Sequence, residues 1–410
     1  MPDSQPQPPE GVTAGTTALL LCGARLTDGR TVDVSLGAGR IEAVGTAGSL
    51  PSHGSRIDLA GYLLLPAPAE PHAHSDTALT ADEPASRAPS YAPEDVQRRA
   101  TEAALLQLGH GATAQRAHVR IGDAQGLGAL EAVLKTRRSL RGLADLTAVA
   151  VPRLLTGVAG ADGLAILRDA VKMGAAAVGG CPDLDPDPTG YAEAVLGVAA
   201  EHGCSVDLHT EGDDPARLAR LAAMAGGLRG GVTLGPCAGL SRLPLDVATR
   251  AADQLAAAGV RVVCLPQGGC GEVRGVAPVR LLRAAGVQVA AGSGAVRDAA
   301  NPVGRGDPLE AAYLLASQTG MRVNEAYVTV SSAAREAMDL AEVRVEAGFP
   351  AELLAVRGER LDAVLSLAYS RIVVHRGRVV ARTSAVREYC DSAVAVALEL
   401  PRQGRSDTAS

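Results

Sequence analysis

Two histidines one residue apart, His72 and His74, follow the apolar run Tyr62-Leu63-Leu64-Leu65 across the segment Pro66-Ala67-Pro68-Ala69-Glu70-Pro71. Residues i and i+2 of a strand face the same way, so both imidazoles can meet one metal ion at a strand's end. Neutral imidazole is a common metal ligand. Further on, His118 follows the stretch Ala112-Thr-Ala-Gln-Arg-Ala117, and His209 with Glu211 follows Val206-Asp-Leu208. The chemistry on offer is therefore metal ligation by imidazoles with a carboxylate close by in sequence.

The elements that must position these side chains alternate along the chain. Strand patterns fall at 63–72, 113–119, 146–152, 176–181, 205–210, 231–236, 261–266 and 287–293, with helical patterns such as 93–108, 125–139, 191–202 and 245–258 between them. Gly109, Gly111, Gly203 and Gly286 stand where helices should end. Eight strands with intervening helices predict an α/β fold, a TIM (β/α)8 barrel. In such a barrel the site lies at the C-terminal strand ends. Reading those ends gives His72 and His74, His118, Arg153, Cys181 with Asp183, His209 with Glu211, Pro236 with Cys237, Gln267, and Gly294 with Asp298. Histidines occupy three of these ends although the chain holds only 8.

Short β segments with turn residues between them flank the barrel on both sides, at 17–65 and again near 351–381. They predict one small β-sandwich built from both termini. The expected division is a disordered lead-in at 1–16, a sandwich from 17–65 plus 341–383, a barrel at 66–340 and a helix or tail at 384–410.

Composition narrows the function classes. Among 410 residues there is no Trp and a single Phe, Phe349, so few rings are available for base stacking. With a net charge of −6 and no basic block, this speaks against nucleic-acid binding. No apolar run reaches the ~20 residues that span a bilayer, and residues 1–11 lack the apolar core of a signal peptide. Seven cysteines without C-x-x-C spacing suggest neither a disulfide framework nor structural zinc. The expectation is a cytoplasmic protein, binding no membrane, that acts on a small molecule and associates with copies of itself.

Several phrases, taken together, resemble the cytosine deaminase branch of the amidohydrolase superfamily. They are Gly61-Tyr-Leu-Leu-Leu-Pro66 with Glu70-Pro71-His72-Ala73-His74, Gly111-Ala-Thr-Ala-Gln-Arg-Ala-His118-Val, Val206-Asp-Leu-His209-Thr-Glu211-Gly-Asp-Asp214, and Ala347-Gly-Phe-Pro-Ala-Glu352. The likeness covers residues 17–383. It implies one divalent ion, zinc or iron, held by His72, His74 and His209, which lowers the pKa of a bound water. Glu211 would move its proton, one residue closer to the histidine than in the family pattern. From its strand-end position, His118 is expected to line the pocket as a second catalytic candidate. The implied reaction is hydrolysis of a C–N bond, a deamination or an amide hydrolysis of a small cyclic substrate.

The departures from that pattern are specific. Where the family has a histidine after strand six, this chain has Pro236, and Gly294 stands for the metal-binding aspartate after strand eight. Asp298 matches a different family carboxylate. Three histidines can still hold zinc, but the lost general base implies an alternative, a catalytically degenerate relative that binds an anionic ligand or a partner without turnover. Arg153 stands near the place of a glutamine that reads the pyrimidine edge. Its guanidinium suits a carboxylate or phosphate. It either faces the pocket and binds an anion or pairs with Asp183 or Glu211. Arg153, Asp183, Gln267 and Asp298 form the expected substrate-binding set.

Other signals weigh less. Asp183-x-Asp185-x-Asp187 begins like a calcium loop, but Pro188 replaces the required glycine, so an acidic loop is the expectation. Cys237 is a candidate nucleophile with no histidine beside it in sequence. Gly268-Gly-Cys-Gly271 reads as a flexible loop at the strand-seven end, a plain turn or an anion cradle, and His53 and His375 read as surface residues.

Overall fold

The computed structural model describes residues 18–51, 54–82, 89–122, 125–228, 230–268, 275–367 and 370–385. The expectations for the lead-in 1–16, for His53, for the tail beyond 385 and for Gly269-Cys270-Gly271 lie outside the described residues.

Eight parallel strands pair in chain order, here called barrel strands one to eight: Ala69–Ala73, Ala114–Ile121, Asp145–Pro152, Ala177–Gly180, Ser205–Thr210, Val232–Pro236, Arg261–Cys264 and Gln288–Ala291. A bridge between Ala73 and Gly294 joins the two ends of the sheet, with the Gly294 N–H donating to the His72 carbonyl at 3.1 Å. The barrel predicted from the βα alternation is present. Runs such as Ala148-Val149-Ala150 are buried throughout, as strands covered on both faces must be.

Helices cover the outside for legible reasons. Pro93–Gly109 begins with a proline in its first turn and carries Glu94 and Asp95 there, which complements the helix dipole. Pro188–His202 is capped by the Asp187 side chain, which accepts from the Gly190 N–H, and ends on Gly203 in the left-handed region at φ 67°.

A second sheet of eight strands is separate from the barrel and mainly antiparallel. It takes Leu19–Arg25, Thr31–Gly37, Arg40–Thr46, Ser55–Asp58 and Tyr62–Pro66 from the N-terminal side and Leu353–Arg357, Arg371–His375 and Arg378–Thr383 from the C-terminal side. The two sets meet where Tyr62–Pro66 pairs with Leu353–Arg357. Alternation divides these strands between two cores. Leu63, Leu65, Leu354 and Val356 pack with the barrel helices, while Leu64, Leu353 and Ala355 pack within the small domain.

The stretch 63–72, read from sequence as one strand, is two. Tyr62–Pro66 belongs to the small sheet and Ala69–Ala73 to the barrel. Pro66 and Pro68 cannot donate to a ladder, so the chain changes sheets there. Barrel strand one then carries a register shift between Glu70 and Ala73. That bulge lets Ala69 pack in the barrel floor with Ala114, Val263 and Ala290 while His72, three residues later, also faces inward. Ala334, Ala337 and Met338 close the floor.

Two polar networks lock the domains together. Arg371 of the small sheet makes a two-pronged pair with Asp307 at 2.8 and 2.6 Å. His375 is fully buried and its Nδ1 lies 2.8 Å from Glu352 Oε2. The surface position expected for His375 is therefore incorrect. A charged partner inside the interface, invisible in a linear reading, removes the cost of burying the ring. Among the described residues no helix is long and apolar enough to cross a membrane.

Candidate active site at the barrel mouth

Four imidazoles converge above the barrel floor, from strands one, two and five. The ring centroids of His72 and His118 are 4.0 Å apart, those of His72 and His209 4.5 Å, and those of His118 and His209 4.7 Å. His72, His118 and His209 each offer a ligand atom, and these atoms lie within 4.8 Å of one another. His74 reaches over them, its Nε2 3.2 Å from that of His72 and 3.3 Å from that of His209. Sequence reasoning proposed His72, His74 and His209 as ligands and His118 as a pocket residue. The structure places all four together, with His118 inside the three-residue cluster.

Burial decides their protonation. His72 and His118 are 0% and 1% exposed, and His209 9%. Loss of solvent pushes the pKa of every one downward, well below the ordinary histidine value for His72 and His118. His74 falls to about 4, first through burial and then through the Arg120 guanidinium. His209 falls to about 3, through burial and then His74. All four are neutral near pH 7 and hold lone pairs ready for a cation. The buried His118 ring is held by the Ala73 backbone and faces Asp207. A buried set of neutral imidazoles whose ligand atoms lie this close together fits a divalent metal.

Below the imidazoles lies a charged layer that the sequence reading did not single out. Asp207, 0% exposed, places Oδ1 3.3 Å from His118 Nε2 and accepts from Arg116 Nη1 through Oδ2 at 3.3 Å. Arg116 also donates to the Ala337 carbonyl at 2.9 Å. Burial pushes the Asp207 pKa up, and the Arg116 charge opposes it. A carboxylate behind a ligating histidine fixes the ring and its tautomer. The available signal was strand alternation, since Asp207 precedes His209 by two residues and Arg116 precedes His118 by two.

Glu70 closes the ring between strands one and eight. Its carboxylate accepts from the His72 N–H at 3.0 Å and from the N–H and hydroxyl of Ser293. Burial raises its pKa to about 7 against those hydrogen bonds.

The remaining expected site residues have defined places. Glu211 follows strand five, half-buried, with Oε2 unpaired. Its pKa is raised by burial, then by Asp213 and Asp183, the direction expected of a carboxyl that takes part in proton transfer. Asp183 holds that loop by accepting from Thr210 Oγ1 at 3.0 Å, the Glu211 N–H at 3.2 Å and Arg217 Nη1 at 2.6 Å. Its cationic partner is thus Arg217. Arg153 is exposed and has no ion-pair partner among the described residues. Gln267 donates to the Asp307 carbonyl, and its own carbonyl accepts from Asn301 Nδ2 at 2.9 Å. Asp298 accepts from Thr77 Oγ1 at 2.9 Å and from the N–H groups of Ala300 and Asn301. These last two brace the loops after strands seven and eight.

Pro236 pairs with Thr210 at the end of strand six and supplies no ligand atom. Gly294 adopts φ +68°, and a Cβ there would lie 3.2 Å from the Gly268 carbonyl and from Leu265. Cys237 is fully buried, and burial pushes its thiol far up, Glu211 adding to the effect. A protonated thiol of that kind is a poor nucleophile.

This geometry has parallels among known proteins. The chain is 26% identical over 387 residues to the pterin deaminase of Rhizobium rhizogenes, covering 86% of this chain and 88% of that one. It superposes on the crystal structure of N-isopropylammelide isopropylaminohydrolase from Burkholderia multivorans with a TM-score of 0.80 and 26% identity, over 90% of this chain and 100% of that one. The fold likeness extends to 5-methylcytosine deaminase from Klebsiella pneumoniae, at a TM-score of 0.79 and 23% identity, over 92% of this chain and 100% of that one. The profile of the amidohydrolase family matches residues 99–381. A parallel barrel with a histidine cluster at its mouth and a profile match over most of its length place this chain in the amidohydrolase family.

Proposed function

We propose that this protein is a metal-dependent hydrolase that cleaves a C–N bond of a small cyclic substrate, an amino-heterocycle or a cyclic amide. The observation that carries this reading is the convergence of His72, His118 and His209, with ligand atoms within 4.8 Å of one another at the strand ends of the barrel. The names of the relatives, a pterin deaminase and an aminohydrolase, support the same reaction class.

The three imidazoles would hold one divalent ion, zinc or iron, with His74 beside it as a further donor. When bound, such an ion supplies Lewis acidity that brings a water molecule's pKa toward neutrality. Asp207 holds the His118 ring from behind. Glu211, with a raised pKa and a free carboxylate oxygen, takes up the proton released on attack and returns it to the departing nitrogen. The depth of the cluster keeps the reacting atoms away from bulk water. The protein acts in the cytoplasm in this reading.

A second reading rests on Gly294. The family's aspartate has no counterpart there, and the backbone would resist one. A relative that binds its ligand without turnover fits that single feature.

Elemental mass spectrometry of the purified protein separates the two. The hydrolase reading expects close to one zinc or iron per chain, lost in His72→Ala and His209→Ala, and ammonia release from members of an amino-heterocycle screen. Metal-free protein after reconstitution with zinc and iron would leave the silent relative as the answer.

A further inference from the structure

We propose that Arg120 is the anion-recognition residue of this site, and that the substrate is therefore a cyclic C–N compound bearing a carboxylate. The inference rests on the hydrolase reading for the location of the site and goes beyond it in naming the substrate class.

Arg116, His118 and Arg120 are alternate residues of barrel strand two and share one face. The first two are buried and turn into the barrel, where Arg116 meets Asp207 of strand five and His118 packs against His72 and His209. Arg120, next on that face, is exposed. It leaves the packed interior one step above the imidazoles, and its charge reaches His74 and His209. One guanidinium nitrogen donates to the Tyr91 hydroxyl at 2.9 Å. The Arg120 main-chain N–H is tied to Asp76 Oδ2 at 3.2 Å. The side chain is thus braced at both ends by groups that leave most of its donors available.

Its charge acts on the buried Asp76 carboxylate without an ion-pair contact. Among the described residues no carboxylate lies within ion-pair distance of the Arg120 guanidinium, whereas the inward-facing Arg116, Arg217 of the strand-five helix and Arg371 of the domain interface are each paired. On the adjacent strand Val151 pairs with Arg120, and Arg153 stands two residues beyond Val151 on the same face, exposed and without an ion-pair partner among the described residues. Two guanidinium groups with no ion-pair contact among the described residues make a cationic edge on one side of a mouth whose imidazoles are neutral. A planar guanidinium fork matches a carboxylate in a two-pronged arrangement. The Tyr91 brace reduces the ordering cost of forming it.

Isothermal titration with matched neutral and acidic probes tests the assignment: 5-methylcytosine against 5-carboxycytosine, and pterin against pterin-6-carboxylate. The acidic member of a pair that fits the site should bind about tenfold more tightly, with a preference that shrinks as salt rises. Arg120→Ala should bring the affinity ratio close to one, and Arg120→Lys should restore part of it because a point charge replaces the fork. Tyr91→Phe should lower the ratio without abolishing it. Thermal midpoints of the variants within a few degrees of the parent show that the fold is intact, and the lysine variant carries the test should the alanine variant unfold. Equal affinity for both members of each pair would overturn the proposal. So would a preference that survives Arg120→Ala, or one that only Arg153→Ala removes. Anion preference without ammonia release would count against the hydrolase reading alone, and ammonia release from neutral compounds without preference would count against Arg120 alone.

Discussion

At the scale of single residues the site is a problem of burying polar groups, and each solution has a test. Four imidazoles gather in the barrel mouth because each is neutral there, and neutrality follows from loss of solvent. His118 carries the largest departure from what the family likeness implied, since it joins the cluster while positions 236 and 294 lack ligand atoms. Replacing His118 with alanine is expected to reduce bound metal at least tenfold, as measured by competition with a colorimetric chelator. A result equal to the parent protein would remove His118 from the ligand set. Asp207 answers to a different measurement. Its removal leaves Arg116 buried without its nearest countercharge, and breaking such a pair costs about 3–5 kcal/mol. Asp207→Ala should therefore lower the urea midpoint by a corresponding amount. An unchanged midpoint would show that Asp339, 3.7 Å from Arg116 Nη2, suffices alone.

At the scale of elements, two strand ends and one helix start decide what the site can hold. Strand eight ends in Gly292-Ser293-Gly294, where the chain closes the barrel through the Gly294 N–H and the Ser293 contacts to Glu70. The left-handed backbone at Gly294 disfavours any side chain by about 1–2 kcal/mol. Gly294→Asp, which would restore the family residue, is expected to lower stability by roughly that amount and to leave metal content unchanged. A gain of metal would show that the strand end can still adapt.

The helix Pro308–Thr319 begins at Asp307, whose side chain accepts from the Leu309 N–H and pairs with Arg371 of the small sheet. Burial alone would raise the pKa of Asp307, but the Arg371 guanidinium outweighs it and holds the carboxyl below its ordinary value. A depressed folded-state pKa means that this stabilisation is complete above the unfolded value near 3.9 and is lost as pH falls through the lower folded value. Stability measured by urea titration should decline below about pH 4. Part of that decline should be absent in Asp307→Asn, which has no proton to gain and is less stable at pH 7.

At the scale of the molecule the barrel depends on its small partner. Leu63, Leu65, Leu354, Val356 and Val373 belong to the same apolar cluster as the barrel helices, so removing the small sheet uncovers part of the main core. A fragment of residues 66–340 is expected to lack a cooperative thermal transition and to aggregate. A sharp transition in that fragment would mean that the barrel is self-sufficient. The chain joins the two bodies at Pro66-Ala67-Pro68, at the first residues of the strand that carries His72 and His74.

The amino-acid sequence by itself determined the architecture and most of the histidine cluster. Alternating apolar runs, glycines at helix ends and histidines at predicted strand ends are local patterns, and local geometry converts them directly into strands, helices and a barrel mouth. It also showed that Pro236 and Gly294 carry no side-chain ligand atoms in any conformation. Only the tertiary structure decided which imidazoles share a centre. The bulge after Glu70 resets the facing of strand one, and His118 meets His72 across a strand pair that is 46 positions apart in the chain. The same holds for Asp183, whose partner is Arg217 and not Arg153, and for His375, which is buried against Glu352. The physical reason is common to all of them. Backbone propensity acts between near neighbours, whereas burial and the pairing of charges are properties of the space that distant segments enclose together.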